Sequence, residues 1–75
     1  MQFIKFYNAY VNTATIRCMQ HHYQDAGKGM YFPAVNILTD QRVDVIYALS
    51  NSRYSMEDAM KEAKLLLQAA VEELK

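Results

Sequence analysis

One long amphipathic helix, placed last in the chain, is the feature that most constrains the fold. Met56, Ala59, Met60, Ala63, Leu67, Ala70, Val71 and Leu74 recur at three- and four-residue steps, which sets them on one stripe of a helix over residues 56–74. Ser55 is the expected N-cap, with Asp58 three residues on as in a capping box, and Glu57 and Asp58 place negative charge at the positive end of the helix dipole. Glu57 and Lys61 form an i,i+4 pair in the favourable order. Leu65, with Ala69 beside it, lies opposite the stripe and is expected to face water. Everything before Ser55 must therefore be covered by a single rod.

That front portion reads as strands. Val43, Val45, Tyr47 and Leu49 alternate with Arg42, Asp44, Ile46 and Ala48, the two-residue period of a half-buried strand. Residues 31–38 place Tyr31, Val35 and Ile37 on one face, and Thr39-Asp40-Gln41-Arg42 has the polar chemistry of a turn, so the two runs should pair antiparallel. Pro33 has no N–H for a ladder and favours an edge strand or a bulge. The first 24 residues fit two readings. As strands, residues 2–11 and 13–23 pair across Asn12-Thr13, with Ala14, Ile16 and Cys18 inward and Thr15, Arg17, Met19 and His21 outward. As a helix, Tyr7, Tyr10, Val11, Ala14 and Cys18 form a stripe. Aromatic and β-branched enrichment favours strands. Asp25-Ala26-Gly27-Lys28-Gly29 then becomes a mobile connection between two hairpins.

The expectation is a single α+β domain over residues 1–75, a four-stranded antiparallel sheet in the order β-β-β-β-α with the C-terminal helix on one face. One helix leaves the second face open, while Phe3, Ile4, Phe6, Tyr7, Tyr10, Met19, Tyr23, Met30, Phe32 and Ile46 exceed what one inner face holds. Exposed apolar patches on small proteins mark contact sites, and Tyr, Met and Arg are enriched in them. Tyr7, Tyr10, Arg17, Met19 and His21 are the candidate partner-binding residues on this reading.

Charge narrows the partner. Lys plus Arg and Asp plus Glu number 8 each, so no bulk field draws the chain to nucleic acid or an anionic membrane. Residues 1–54 carry a mild net +2 and the helix segment −2, so an RNA or single-strand module, with bases stacked on aromatic rings, is a second reading. A third is a homodimer that buries the open face against its twin. The longest apolar run, residues 45–49, is far below the roughly 20 residues of a spanning helix, so no membrane partner is expected and the chain reads as cytoplasmic. Cys18 is the only cysteine, which rules out an intrachain disulfide.

No catalytic or metal site and no cofactor is expected. Cys18 and His22 would sit about 13 Å apart along a strand, and adjacent His21 and His22 would point to opposite faces. Gly27-Lys28-Gly29 lacks the rest of a phosphate-binding loop, and no nucleophile elbow or paired-carboxylate cleft is recognisable, so the chain reads as non-enzymatic.

The opening Met1-Gln2-Phe3-Ile4-Lys5-Phe6, the strand-rich first half and the late capped helix resemble the small phage type I-F anti-CRISPR proteins. That resemblance implies a four-stranded antiparallel sheet with helical cover and a non-catalytic inhibitor, occupying the surface through which a guide-RNA complex takes up target DNA. The passage from Ser55 to Ala63 is also similar to the strand-to-helix junction of HicB-like antitoxins, although Phe32-Pro33 lacks the Asp-Leu-Pro-Gly-Cys run that follows in that family. Both resemblances imply a protein partner whose identity the residues do not name.

Overall fold

A computed structural model of the chain describes residues 3–40 and 45–73. The elements are β1 (Phe3–Phe6), β2 (Ala9–Asn12), a 3-10 turn (Thr13–Thr15), β3 (Ile16–Gly27), β4 (Met30–Thr39), β5 (Val45–Ala48) and α1 (Met56–Glu72). The fold is α+β with one C-terminal helix packed on a sheet, as expected. The expected single four-stranded sheet is instead two antiparallel sheets, a β1-β2 ribbon and a β3-β4-β5 sheet.

The division begins at Tyr7-Asn8. Residues 2–11 do not form one strand, because the chain reverses between Phe6 and its cross-strand partner Ala9. Tyr7 carries φ 37°, the left-handed sign that a two-residue hairpin turn demands and that a bulky residue adopts only under strain. With β2 already paired to β1, β3 turns to β4, joined through Lys28-Gly29 inside the pair Gly27↔Met30. Lys28 and Gly29 have φ 56° and 72°, the two positive values that a type I′ turn needs. The glycine segment is thus the tip of one hairpin rather than a link between two, and the Asp25 carboxylate accepts the Gly27 N–H at 2.7 Å beside it.

β4 and β5 pair antiparallel, with Ala34 opposite Ala48 and Ile37 opposite Val45. The expected turn residues Gln41 and Arg42, with Val43 and Asp44, lie outside the described residues. Pro33 sits in the central strand, not at an edge. Its carbonyl accepts the Leu49 N–H at 2.9 Å, so the side on which it lacks a donor is the β5 side, just past Ala48 where β5 has ended. Pairing on that side resumes at Tyr31, which exchanges backbone bonds of 2.7 and 2.8 Å with Tyr54. The proline fills the break.

Cα partners share a face, so the pleat separates two layers. Val35, Ile37 and Tyr47 lie on one face, where Ile4, Phe6 and Val11 of the ribbon pack on them and Leu67 and Ala70 of α1 join the cluster. The ribbon and the helix therefore cover the same face together. Phe6 stacks on Tyr47 at 6.3 Å and 28°. Ala59 and Ala63 are fully buried where α1 meets the sheet, and short side chains there let the helix approach closely.

A bulge reverses part of the expected alternation. The β3-β4 register shifts between Ile16 and Cys18, so Ile16 and Met19 both pack on the core while Arg17 and Cys18 are exposed. Ala14, expected inward, is exposed in the 3-10 turn.

The Ser55 cap forms as expected. Its hydroxyl accepts the Asp58 N–H at 3.3 Å, and Lys61 lies 3.9 Å from Glu57. Leu65 is exposed; Leu74 lies outside the described residues. Ser55→Ala should destabilise the chain by about 1 kcal/mol, a cap's usual worth, read as a lower urea midpoint at unchanged m-value. Ser55→Asp, which keeps an acceptor, should restore most of the loss.

Candidate interaction surface

The second face of the β3-β4-β5 sheet is where the described residues leave strands uncovered. Register places Cys18, Gln20, His22 and Gln24 of β3 there, beside Phe32, Asn36 and Leu38 of β4 and Ile46 and Ala48 of β5, with Ala34 fully buried among these larger neighbours. None of these ten is Asp, Glu, Lys or Arg. Leu38 is 38% and Ile46 41% exposed, an apolar pair flanking amide side chains. Asn36, between Gln20 and Ile46, keeps its Oδ1 atom buried with no hydrogen-bond partner. A buried acceptor left unpaired costs about 1–3 kcal/mol.

One end of this face deepens into a cleft of about 360 Å³, where Gln24, Phe32, Ile46 and Ala48 are joined by Asp25, Tyr47, Ser50, Asn51 and the Tyr7-Asn8 turn. The strained turn thus sits on the rim of this cleft, and strained backbone recurs at binding sites. Arg53 lies over the Phe32 ring at 5.9 Å. The His22 ring accepts the Tyr23 N–H through Nδ1 at 2.7 Å, which makes Nε2 the ring's donor in the neutral form.

The five residues singled out from the sequence do not gather here. Tyr7 reaches the cleft rim. Tyr10 is 69% exposed on the outer side of the ribbon, under the Lys5 ammonium at 5.5 Å. Arg17 occupies the β3 bulge and pairs with Asp40 at 3.5 Å, both largely exposed. Met19 packs against the core, and His21 is exposed on β3 opposite Val35. Of the surplus apolar residues, Ile4 and Phe6 are buried by the ribbon, whereas Phe3, Tyr7, Tyr10 and Ile46 are exposed. The residues that line the open face were missed because the bulge inverts which side of β3 faces the core. A cysteine, three amides and a histidine give no apolar signal in sequence.

Among the described residues, no group of three or more His, Cys, Asp or Glu side chains is arranged to hold a metal ion. No helix of the described residues is long and apolar enough to cross a membrane. Comparison of the chain with family models, with curated proteins and with solved structures finds no match.

Proposed function

We propose that this chain is a non-enzymatic protein-interaction module that docks a larger protein onto the uncovered face of its β3-β4-β5 sheet. The observation that carries the reading is a sheet face without Asp, Glu, Lys or Arg side chains on which Leu38 and Ile46 are exposed. Such a face fits a partner surface that is itself apolar and amide-rich. Three strands and about ten residues span about 14 by about 30 Å, or roughly 400 Å², the size of a functional patch on a monomer. A standard interface takes about 800 Å² per partner, so a partner must also reach the rim formed by Tyr7 and Arg53. Stacking two copies face to face supplies too little area, which favours a larger protein over a twin on this surface.

The narrower reading, an inhibitor that caps a nucleic-acid-handling assembly, rests on the opening segment and its anti-CRISPR resemblance. Direct binding of nucleic acid through the face is disfavoured, because none of the ten residues that line it is Lys or Arg.

A photo-crosslinking amino acid at Ile46 or Leu38, in cells that carry the chain's natural setting, should yield the same discrete protein adduct. The same group at Lys64, exposed on the helix, should yield none. Binding of the captured protein should change only a few-fold between 50 and 200 mM salt, against the roughly 10³–10⁵-fold loss that six to ten phosphate contacts produce. A nucleic-acid adduct, or equal adducts at all three positions, would overturn the proposal.

A further inference from the structure

The open face is not the only unpaired surface; the outer edge of β3 is a second, and the argument for it is independent. β3 runs twelve residues and has a neighbour on one side only. β5, at the other edge, runs four. Long edges invite pairing with another chain, and proteins guard them with lysine, proline, inward charges or short length. From Cys18 to Gln24, β3 contains none of these: Cys18-Met19-Gln20-His21-His22-Tyr23-Gln24 lacks any Lys, Arg, Asp, Glu or Pro.

The register tells which backbone groups face outward. The Pro33 carbonyl points to β5, so in the antiparallel pair Tyr23↔Pro33 the Tyr23 N–H and C=O point away from β4. Alternation extends this to Met19 and His21, within a register unbroken from Cys18 to Asp25. The Tyr23 N–H is met by the His22 ring, so one imidazole must swing aside for the edge to pair fully.

The charges at the two ends of this run choose the occupant. Arg17 precedes it and Asp25 follows it, four residues either side of His21. An antiparallel pairing of two identical strands centred on His21 brings the bulge that carries Arg17, just outside the regular run, to the end where Asp25 of the second copy lies, twice over. Met19 then faces Tyr23, Gln20 faces His22, and the outward backbone groups of Met19, His21 and Tyr23 meet their like. The Arg17 side chain, which meets Asp40 through Nε at 3.5 Å, stays 67% exposed, and Gly27 engages Asp25 through Oδ1, so both ends can reach a further partner. We propose that β3 pairs with β3 of a second copy about a two-fold axis at His21, joining two three-stranded sheets into one of six strands. This isologous contact doubles the width of the open face without covering it.

The test is disulfide trapping in a Cys18→Ser background. A hydrogen-bonded pair on the axis has Cα atoms about 5.5 Å apart, inside disulfide reach. His21→Cys, at an exposed position, should therefore oxidise to a covalent dimer at micromolar concentration. Native Cys18, whose twin would lie six residues along the ladder, or about 20 Å away, should remain monomeric under the same oxidant. Gln20→Cys, two residues out of register from its twin, should cross-link at least tenfold more slowly. Ile46→Lys added to the His21→Cys chain should leave trapping unchanged, since that residue belongs to the open face and not to the edge. A His21→Cys chain that stays monomeric would overturn the proposal, as would equal rates at positions 18, 20 and 21. Trapping abolished by Ile46→Lys would show face-to-face association instead and also overturn it.

Discussion

Phe6→Ala is expected to remove about 3–5 kcal/mol of stability, the usual cost of deleting a fully buried aromatic ring. A chain of 75 residues has roughly 4–11 kcal/mol to lose, so this one substitution should consume a large share of it. The reason is positional. Phe6 is 1% exposed, stacks on Tyr47 and sits in the cluster of Ile4, Val11, Val35 and Ile37 that ties the ribbon to the sheet. Phe3, three residues earlier on the same strand but 53% exposed, should tolerate alanine within about 1 kcal/mol. Urea unfolding followed by far-ultraviolet circular dichroism reads both. Equal effects at the two positions would mean that the ribbon does not pack through the Ile4 and Phe6 side.

The second large effect contrasts neighbours on β4. Ile37→Ala should cost about 2–5 kcal/mol, because the side chain is wholly buried between the sheet and the covering ribbon and helix, and truncation leaves a cavity. Leu38→Ala, one residue on, should cost less than about 1 kcal/mol, since that side chain is 38% exposed on the uncovered face. Thermal midpoints should separate accordingly, by about 4–8 °C for each kcal/mol in a domain of this size. The comparison tests the central feature of the molecule, one sheet face shared by two covers and the other left bare. Comparable losses at both positions would mean that something covers the second face as well.

How much of this was legible in the residues depends on how local the cause is. The helix and its Ser55 cap were readable because a hydroxyl meeting an amide three residues on, and a stripe at helical spacing, involve only nearby atoms. The antiparallel pairing of β4 with β5 was readable from alternation on both sides of a polar turn. The break at Tyr7-Asn8 was not, because a turn with a tyrosine rather than glycine, asparagine or aspartate at its positive-φ position gives almost no signal. The bulge after Ile16 was equally silent, and it alone moved Met19 to the core and Cys18 to the surface. Candidate residues chosen from the expected alternation therefore scattered over the ribbon, the bulge and the core.

Period along the chain determined that this protein has strands followed by one capped helix, and that a single helix is too little to cover both faces of a sheet. How the strands of the front half pair was settled only in three dimensions. β2 satisfies the same hydrogen-bonding groups beside β1 as it would beside β3, and the choice turns on burying Ile4, Phe6 and Val11 against Val35 and Ile37, residues distant in sequence. That packing placed the ribbon with the helix on one face, and so left bare the opposite face and the long edge of β3.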